Sequence, residues 1–185
     1  MAGQTHQQFL RLLDASQPAV LRMAGELSRL GRWVLIPPFK EHAKTREEAL
    51  DFVDSGDLFL VERPEQVDDL ERIRCETKNQ TERQGAWTSA ADYGIHPGRD
   101  RRLEKFFICS VGAWNRAEAA RELPFNFYYL NHTWTHYAHV RRPQVDPRRV
   151  FECKAGPHAV FEDTKAIWIP TDEVNFRKLK EDENV

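Results

Sequence analysis

The stretch Ser55–Gln80, SGDLFLVERPEQVDDLERIRCETKNQ, decides how the rest of the chain is read. Two short β-prone runs, Leu58–Val61 and Ile73–Cys75, flank a polar turn built on Pro64, Asp68 and Asp69, which predicts a strand hairpin. Asp57 opens the first run, and Glu76, Thr77 and Lys78 close the second. Strand side chains alternate faces, so Glu76 and Lys78 point the same way, and pairing brings Asp57 to the same end of the sheet. Two carboxylates and an ammonium on one sheet edge suit a hard divalent cation and a positioned water.

Outward from that hairpin, the N-terminal side supplies packing. Phe9, Leu10, Leu12 and Leu13 predict a short helix ending before Pro18. Val20, Leu21, Ala24, Leu27 and Leu30 recur at helical spacing and predict an amphipathic helix that stops at Gly31. Glu26 lies off that stripe and reads as a solvated charge, with a third carboxylate for the site as the other reading. Arg32–Ile36, halted by Pro37 and Pro38, is the expected first strand. Thr45 with Glu48 forms a capping box before a short helix over 41–53.

On the C-terminal side, residues 79–102 are polar and glycine-bearing, which predicts a long loop of the kind that often carries function. Leu103–Val111 predicts a buried strand, and Asn115 caps a helix that Pro124 ends. Phe125–Val140 is aromatic and β-prone with Asn131 and His132 at its middle, predicting a second hairpin. Val150–Cys153, Ala159–Phe161 and Ala166–Ile169 add short strands, and the tail from Asp172 is read as one helical turn before a frayed end.

The chain has 185 residues, 41% hydrophobic and 30% charged, which suits one domain that folds on its own core. A net charge of −2 confines any nucleic-acid binding to local clusters of Arg and Lys. Cys75, Cys109 and Cys153 are far apart, each in an apolar run, as expected of reduced thiols in a cytoplasmic protein. The first residues, MAGQTHQQFLRLLD, lack the apolar core of a signal peptide, and no run approaches the length of a membrane span, so no membrane partner is expected.

The order of elements and the residues at the hairpin resemble the PD-(D/E)xK nuclease superfamily, the restriction-endonuclease-like fold, over about residues 18–140. The resemblance implies a single α/β domain over 1–185: a central mixed β-sheet flanked by helices, with a core at about 18–140 and C-terminal strands and tail over 141–185. The helix at 18–30, strands near 33, 58 and 73, and a strand at 106–111 fall in the family's order, although Gly56 stands where the motif's proline precedes Asp57. It further implies that Asp57 and Glu76 are metal ligands, that the Thr77 carbonyl completes the coordination, and that Lys78 is the motif lysine. Gln80, on the Lys78 face if the strand continues, is a fourth candidate for the catalytic set, with an exposed turn residue as the other reading. The implied cofactor is Mg²⁺ or Mn²⁺, and the implied activity is metal-dependent hydrolysis of phosphodiester bonds in DNA or RNA, DNA before RNA. A catalytically inactive α/β domain that binds a protein or nucleic-acid partner is the alternative, and a homodimer stays open. Acid-x-Lys triplets recur at Glu152–Lys154 and Asp163–Lys165, but only Glu76–Lys78 has an acid heading a preceding strand.

Phosphate contacts need basic residues, and Arg99, Arg101, Arg102 and Lys105 form the densest cluster, with Arg83 just beyond the motif and Arg141, Arg142, Arg148 and Arg149 further on. Trp87 and Tyr93 could stack on the bases of an opened strand or anchor the loop to the domain. His132, His136 and His139 lack the glutamate of a zinc-protease helix and sit among β-formers, so they are read as sheet histidines with structural hydrogen bonds.

Overall fold

A computed structural model describes residues 6–36, 57–61, 73–79, 86–93, 105–108, 114, 125–154 and 165–180. Helix α1 (His6–Arg29) lays Ala19, Val20, Met23, Ala24 and Leu27 into the core, and Leu21 on the opposite side is exposed. It is one helix, not a short one followed by another: Pro18 lies inside it. Proline there forfeits its own N–H bond to the preceding turn and crowds the carbonyl one turn back with its ring, and the buried stripe that begins at Ala19 offsets this by holding the helix onto the sheet. Gly31 ends the helix as the sequence predicts. Its φ of 76° lets the Gly31 N–H reach the Ser28 carbonyl (2.9 Å) and the Arg32 N–H reach that of Leu27 (3.0 Å), a Schellman close.

The chain then enters β1 (Trp33–Leu35), β2 (Leu58–Val61) and β3 (Ile73–Asn79), an antiparallel meander whose central register pairs Leu58 with Cys75 and Leu60 with Ile73. Strand β4 (Lys105–Ile108) follows, then the hairpin of β5 (Phe125–Leu130) and β6 (His136–Arg141), then β7 (Phe151–Lys154), β8 (Lys165–Pro170) and β9 (Asn175–Lys178). Six strands form one sheet in the order β1-β2-β3-β5-β6-β9, mixed because β5 runs parallel to β3 and every other pairing is antiparallel. The other three form an antiparallel sheet in the order β4-β8-β7.

The two faces of the six-stranded sheet carry separate cores. On one face Leu58, Leu60, Tyr128, Leu130 and Tyr137 meet α1 and Leu179. On the other, Phe127, Tyr129, Ala138 and Val140 meet Phe106, Ile108, Ile167 and Ile169 from the three-stranded sheet, with Trp87, Tyr93, Trp114, Val145 and Val174 filling in. The layers are therefore helix, mixed sheet, antiparallel sheet.

Two expectations need correcting. The strand near 106–111 does not extend the first meander; β4 belongs to the outer sheet, and the strand beside β3 is β5. Burial explains the exchange. β5 is buried at every position from Asn126 to Leu130, as a strand covered on both faces must be, whereas β4 alternates, with Phe106 and Ile108 inward and Lys105 out. The tail has its helical turn, a 3-10 turn at Thr171–Glu173, but continues into β9, which pairs with β6. The hairpin over 125–140 and the short strands at 151–154 and 165–170 lie where the sequence puts them. The helices expected over 41–53 and after Asn115, and the strand at 159–161, lie outside the described residues.

Candidate functional site

The carboxylate-and-lysine set is best described by register. Asp57 and Glu76 are the next residues outward from the Leu58–Cys75 pair that ends the antiparallel ladder, with Asp57 in a bend just before β2. In the parallel ladder Glu76 lies beside Phe127, Thr77 beside Tyr128 and Lys78 beside Tyr129. Directly opposed positions share a face, so Asp57, Glu76 and Lys78 occupy positions on the Phe127–Tyr129 face, away from α1. Thr77 takes an α1-side position with Tyr128.

One further pair on this ladder would set Asp57 opposite Glu76 with Cβ atoms about 4.5–5.5 Å apart, a spacing from which two carboxylates can share one ion at oxygen-ligand distances of about 2–2.5 Å. The donor set is all oxygen and suits Mg²⁺ or Mn²⁺ over zinc. Asp57 itself is half-buried at the mouth of β2. Separately, the described residues contain no group of three His, Cys, Asp or Glu side chains arranged to hold a metal.

The basic residues divide. Gln80, Arg83, Arg99, Arg101 and Arg102 lie outside the described residues. Lys105 starts β4 in the outer sheet, exposed, with its Nζ 3.5 Å from the centre of the Phe151 ring. That strand pairs with β8 and not with β2 or β3. Further along, Arg142 lies over the Trp114 ring at 4.3 Å, Arg148 binds Asp146, and Arg149 bridges Asp172 and Glu173 at 2.8 Å. These side chains brace the scaffold.

Trp87 and Tyr93 are not available to stack on bases: both are buried among Phe106 and Phe176, with the Tyr93 and Phe106 rings stacked at 4.6 Å. The segment between them is tied by Asp92, whose carboxylate accepts from the backbone N–H and hydroxyl of both Thr88 and Ser89 at 2.7–2.9 Å. Burial pushes the Asp92 pKa up, but the four hydrogen bonds outweigh it and hold the carboxyl below its usual range.

The histidines are not one cluster. His132 is exposed in the β5–β6 turn. His136 heads β6, its pKa lowered by partial burial and by Lys178 against the opposing pull of Asp92. His139 lies on the α1 side, where its ring stacks on Tyr128 (4.7 Å, 12° between planes) and its Nε2 meets the Asn126 Oδ1 at 2.7 Å. Burial first, then Arg177, Arg141 and Arg32, push its pKa down to about 4. The structural hydrogen bond was expected of these histidines; the ring of arginines was not. The available signal was Asn126, a polar residue at a position buried on both faces in FNFYYL. Glu26 is not solvated: it is buried, paired with Arg29 (3.2 Å), and accepts the Lys180 N–H (3.2 Å).

No family model, no curated protein and no solved structure matches this chain. Among the described residues, no helix is long and apolar enough to cross a membrane.

Proposed function

We propose that this chain is a small metal-dependent nuclease of the PD-(D/E)xK type, acting on phosphodiester bonds with Asp57, Glu76 and Lys78 as its working groups. The supporting observation is the register: Asp57 and Glu76 are successive to a paired Leu58 and Cys75, and β5 runs parallel beside the strand that carries Glu76 and Lys78. The carboxylates of Asp57 and Glu76, with the Thr77 carbonyl, would hold a divalent cation, which supplies Lewis-acid polarisation of the scissile phosphate. Lys78, two positions along the same face from Glu76, would hold the attacking water in line and stabilise the charge that develops on the phosphoryl oxygens. Gln80, on that face if the strand continues past Asn79, is the proposed hydrogen-bond donor to phosphate or water, and Arg83, Arg99, Arg101, Arg102 and Lys105 are the proposed backbone contacts on the substrate.

A nicking assay on supercoiled plasmid with Mg²⁺ or Mn²⁺ tests the reading. Cleavage by the native chain and its loss in Lys78→Ala with the circular dichroism spectrum unchanged supports it. Absence of cleavage on duplex, branched and single-stranded substrates alike replaces it with the non-catalytic binding domain.

A further inference from the structure

On the α1 side of the six-stranded sheet, a polar patch adjoins the apolar side chains of Tyr128, Leu130 and Tyr137. Asn126 is 4% exposed, gives its Oδ1 to the His139 imidazole, and keeps an Nδ2 with no partner among the described residues. Two arginines share the surface of this patch by register, and the charge of a third bears on it from the end of α1. Arg141 is the register partner of Asn126 on β6; Arg177, on β9, is the register partner of Tyr137 and hydrogen-bonds its hydroxyl; Arg32 is delivered by the Schellman turn that ends α1. Directly opposed strand positions share a face, so Asn126, His139, Arg141 and Arg177 belong to one surface.

What sets these arginines apart is the lack of an ion pair: the Glu26 carboxylate acts on Tyr137 but is itself held by Arg29 and the Lys180 N–H. Arg29, Arg148 and Arg149 each hold a carboxylate, whereas Arg32, Arg141 and Arg177 form no ion pair among the described residues. All three are exposed, and all three act on His139 in the same sense, with no carboxylate pulling the other way. Three like charges gathered around a neutral imidazole repel one another, and an anion relieves that repulsion. A single carboxylate needs one guanidinium fork; three forks plus an amide N–H match an anion with several oxygens and more than one charge.

We propose that Arg32, Arg141 and Arg177, with the Asn126 amide, form an oxyanion site that binds a phosphate group. It lies on the α1 side of the sheet, opposite the positions of Asp57, Glu76 and Lys78, and does not depend on the nuclease reading.

The full chain is titrated with sodium phosphate at constant ionic strength held with chloride, and separately with a short oligonucleotide that carries only phosphodiesters. The readouts are thermal unfolding and the His139 ring resonances. Phosphate at about a hundredfold above its Kd raises Tm by about 5–10 °C, and the bound anion raises the pKa of His139. Arg141→Gln/Arg177→Gln, which alters only exposed side chains, loses both responses; acetate gives neither. Response to phosphate alone assigns a free phosphate or phosphomonoester, and response to the oligonucleotide assigns a polynucleotide backbone. A His139 pKa that stays put with both probes, or a Tm rise of equal size in the double variant, overturns the site. Lys78→Ala leaves these responses intact, so loss of cleavage and loss of phosphate binding are read apart.

Discussion

The His139 imidazole donates from Nε2 to the Asn126 Oδ1 at 2.7 Å across the β5–β6 ladder, a bond that the neutral and the protonated ring can both make, so the charge state is decided by the surroundings. Burial, then Arg177, Arg141 and Arg32, hold the folded pKa at about 4 against 6.5 for the free side chain. The unfolded chain therefore takes up this proton first as the pH falls. The contribution is fully present above pH 6.5, is lost between 6.5 and about 4, and is level below. The depression of His139 corresponds to roughly 3 kcal/mol. Urea unfolding from pH 7 to pH 4 should show that much extra loss in the native chain relative to His139→Phe, whose curve lacks the term. Parallel curves for the two would remove the buried neutral histidine from the account.

Asn131, unlike Asn126, has both ends of its side-chain amide engaged. It is fully buried; its Nδ2 donates to the Trp87 carbonyl (2.8 Å) and the Thr135 hydroxyl (3.0 Å), and its Oδ1 accepts from the N–H groups of Thr135 and His136 (2.9 and 3.2 Å). It thus closes the β5–β6 turn and pins Trp87 to it. Asn131→Ala leaves buried donors and acceptors unmet and should cost about 2–4 kcal/mol. Asn131→Asp should be at least as damaging, because a carboxylate cannot donate to the Trp87 carbonyl and its charge is buried without a cation. Equilibrium unfolding gives the cost, and the near-ultraviolet circular dichroism of Trp87 reports whether the turn has loosened.

Much of the frame is legible in the sequence because its signals are local. Gly31 ends α1, the two runs around Pro64 pair as read, and the hairpin turns at Asn131. What local pattern cannot supply is the partner of each strand. Phe106 and Ile108 read as core in either sheet, and only the two-sided burial of β5 decides which strand lies beside β3. Pro18 looks like a stop because proline usually is one; packing from Ala19 onward overrides it. Likewise β9 is too short and too charged to announce itself, with Phe176 alone facing the aromatic core. The positions of Asp57, Glu76 and Lys78 follow from strand alternation and were readable. The group around His139 was not, since Arg32, Asn126 and Arg177 are remote in the chain and meet only through the strand order.

The two ends of the described chain are joined at Glu26. Its Oε2 accepts the Lys180 N–H, and the Arg22 Nη2 donates to the Lys180 carbonyl at 2.6 Å, so one face of α1 grips both backbone groups of a single residue beyond β9. Removing the acceptor strands the Lys180 N–H and releases Arg29. Glu26→Leu should destabilise by about 2–4 kcal/mol, as expected for a buried charge-assisted pair that loses one member. The loss should be local in hydrogen exchange: the amides of Leu179 and Lys180 exchange faster while those of β5 do not. Uniform acceleration across β5 would mean that α1 itself has come away.

Asp57 and Glu76 should prove unequal in a way that follows from their places. Asp57 stands at the mouth of β2, half-buried, one residue outside the Leu58–Cys75 pair that ends the β2–β3 ladder, whereas Glu76 is internal to β3 and flanked by β5 as well. If both hold the cation of the proposed nuclease, Asp57→Asn, a change of equal size at a half-buried strand end, should cost no more than about 1 kcal/mol of stability. Its cleavage should nevertheless fall by about a hundredfold or more, a loss of the size seen when one charged group acting on the transition state is removed, and higher Mn²⁺ should restore part of it. Glu76→Gln should lose cleavage and some stability together, because the substitution sits in a strand paired on both sides. Full activity in Asp57→Asn at low Mg²⁺ would leave the cation with no ligand on β2 and remove the reason for pairing these two strands with catalysis.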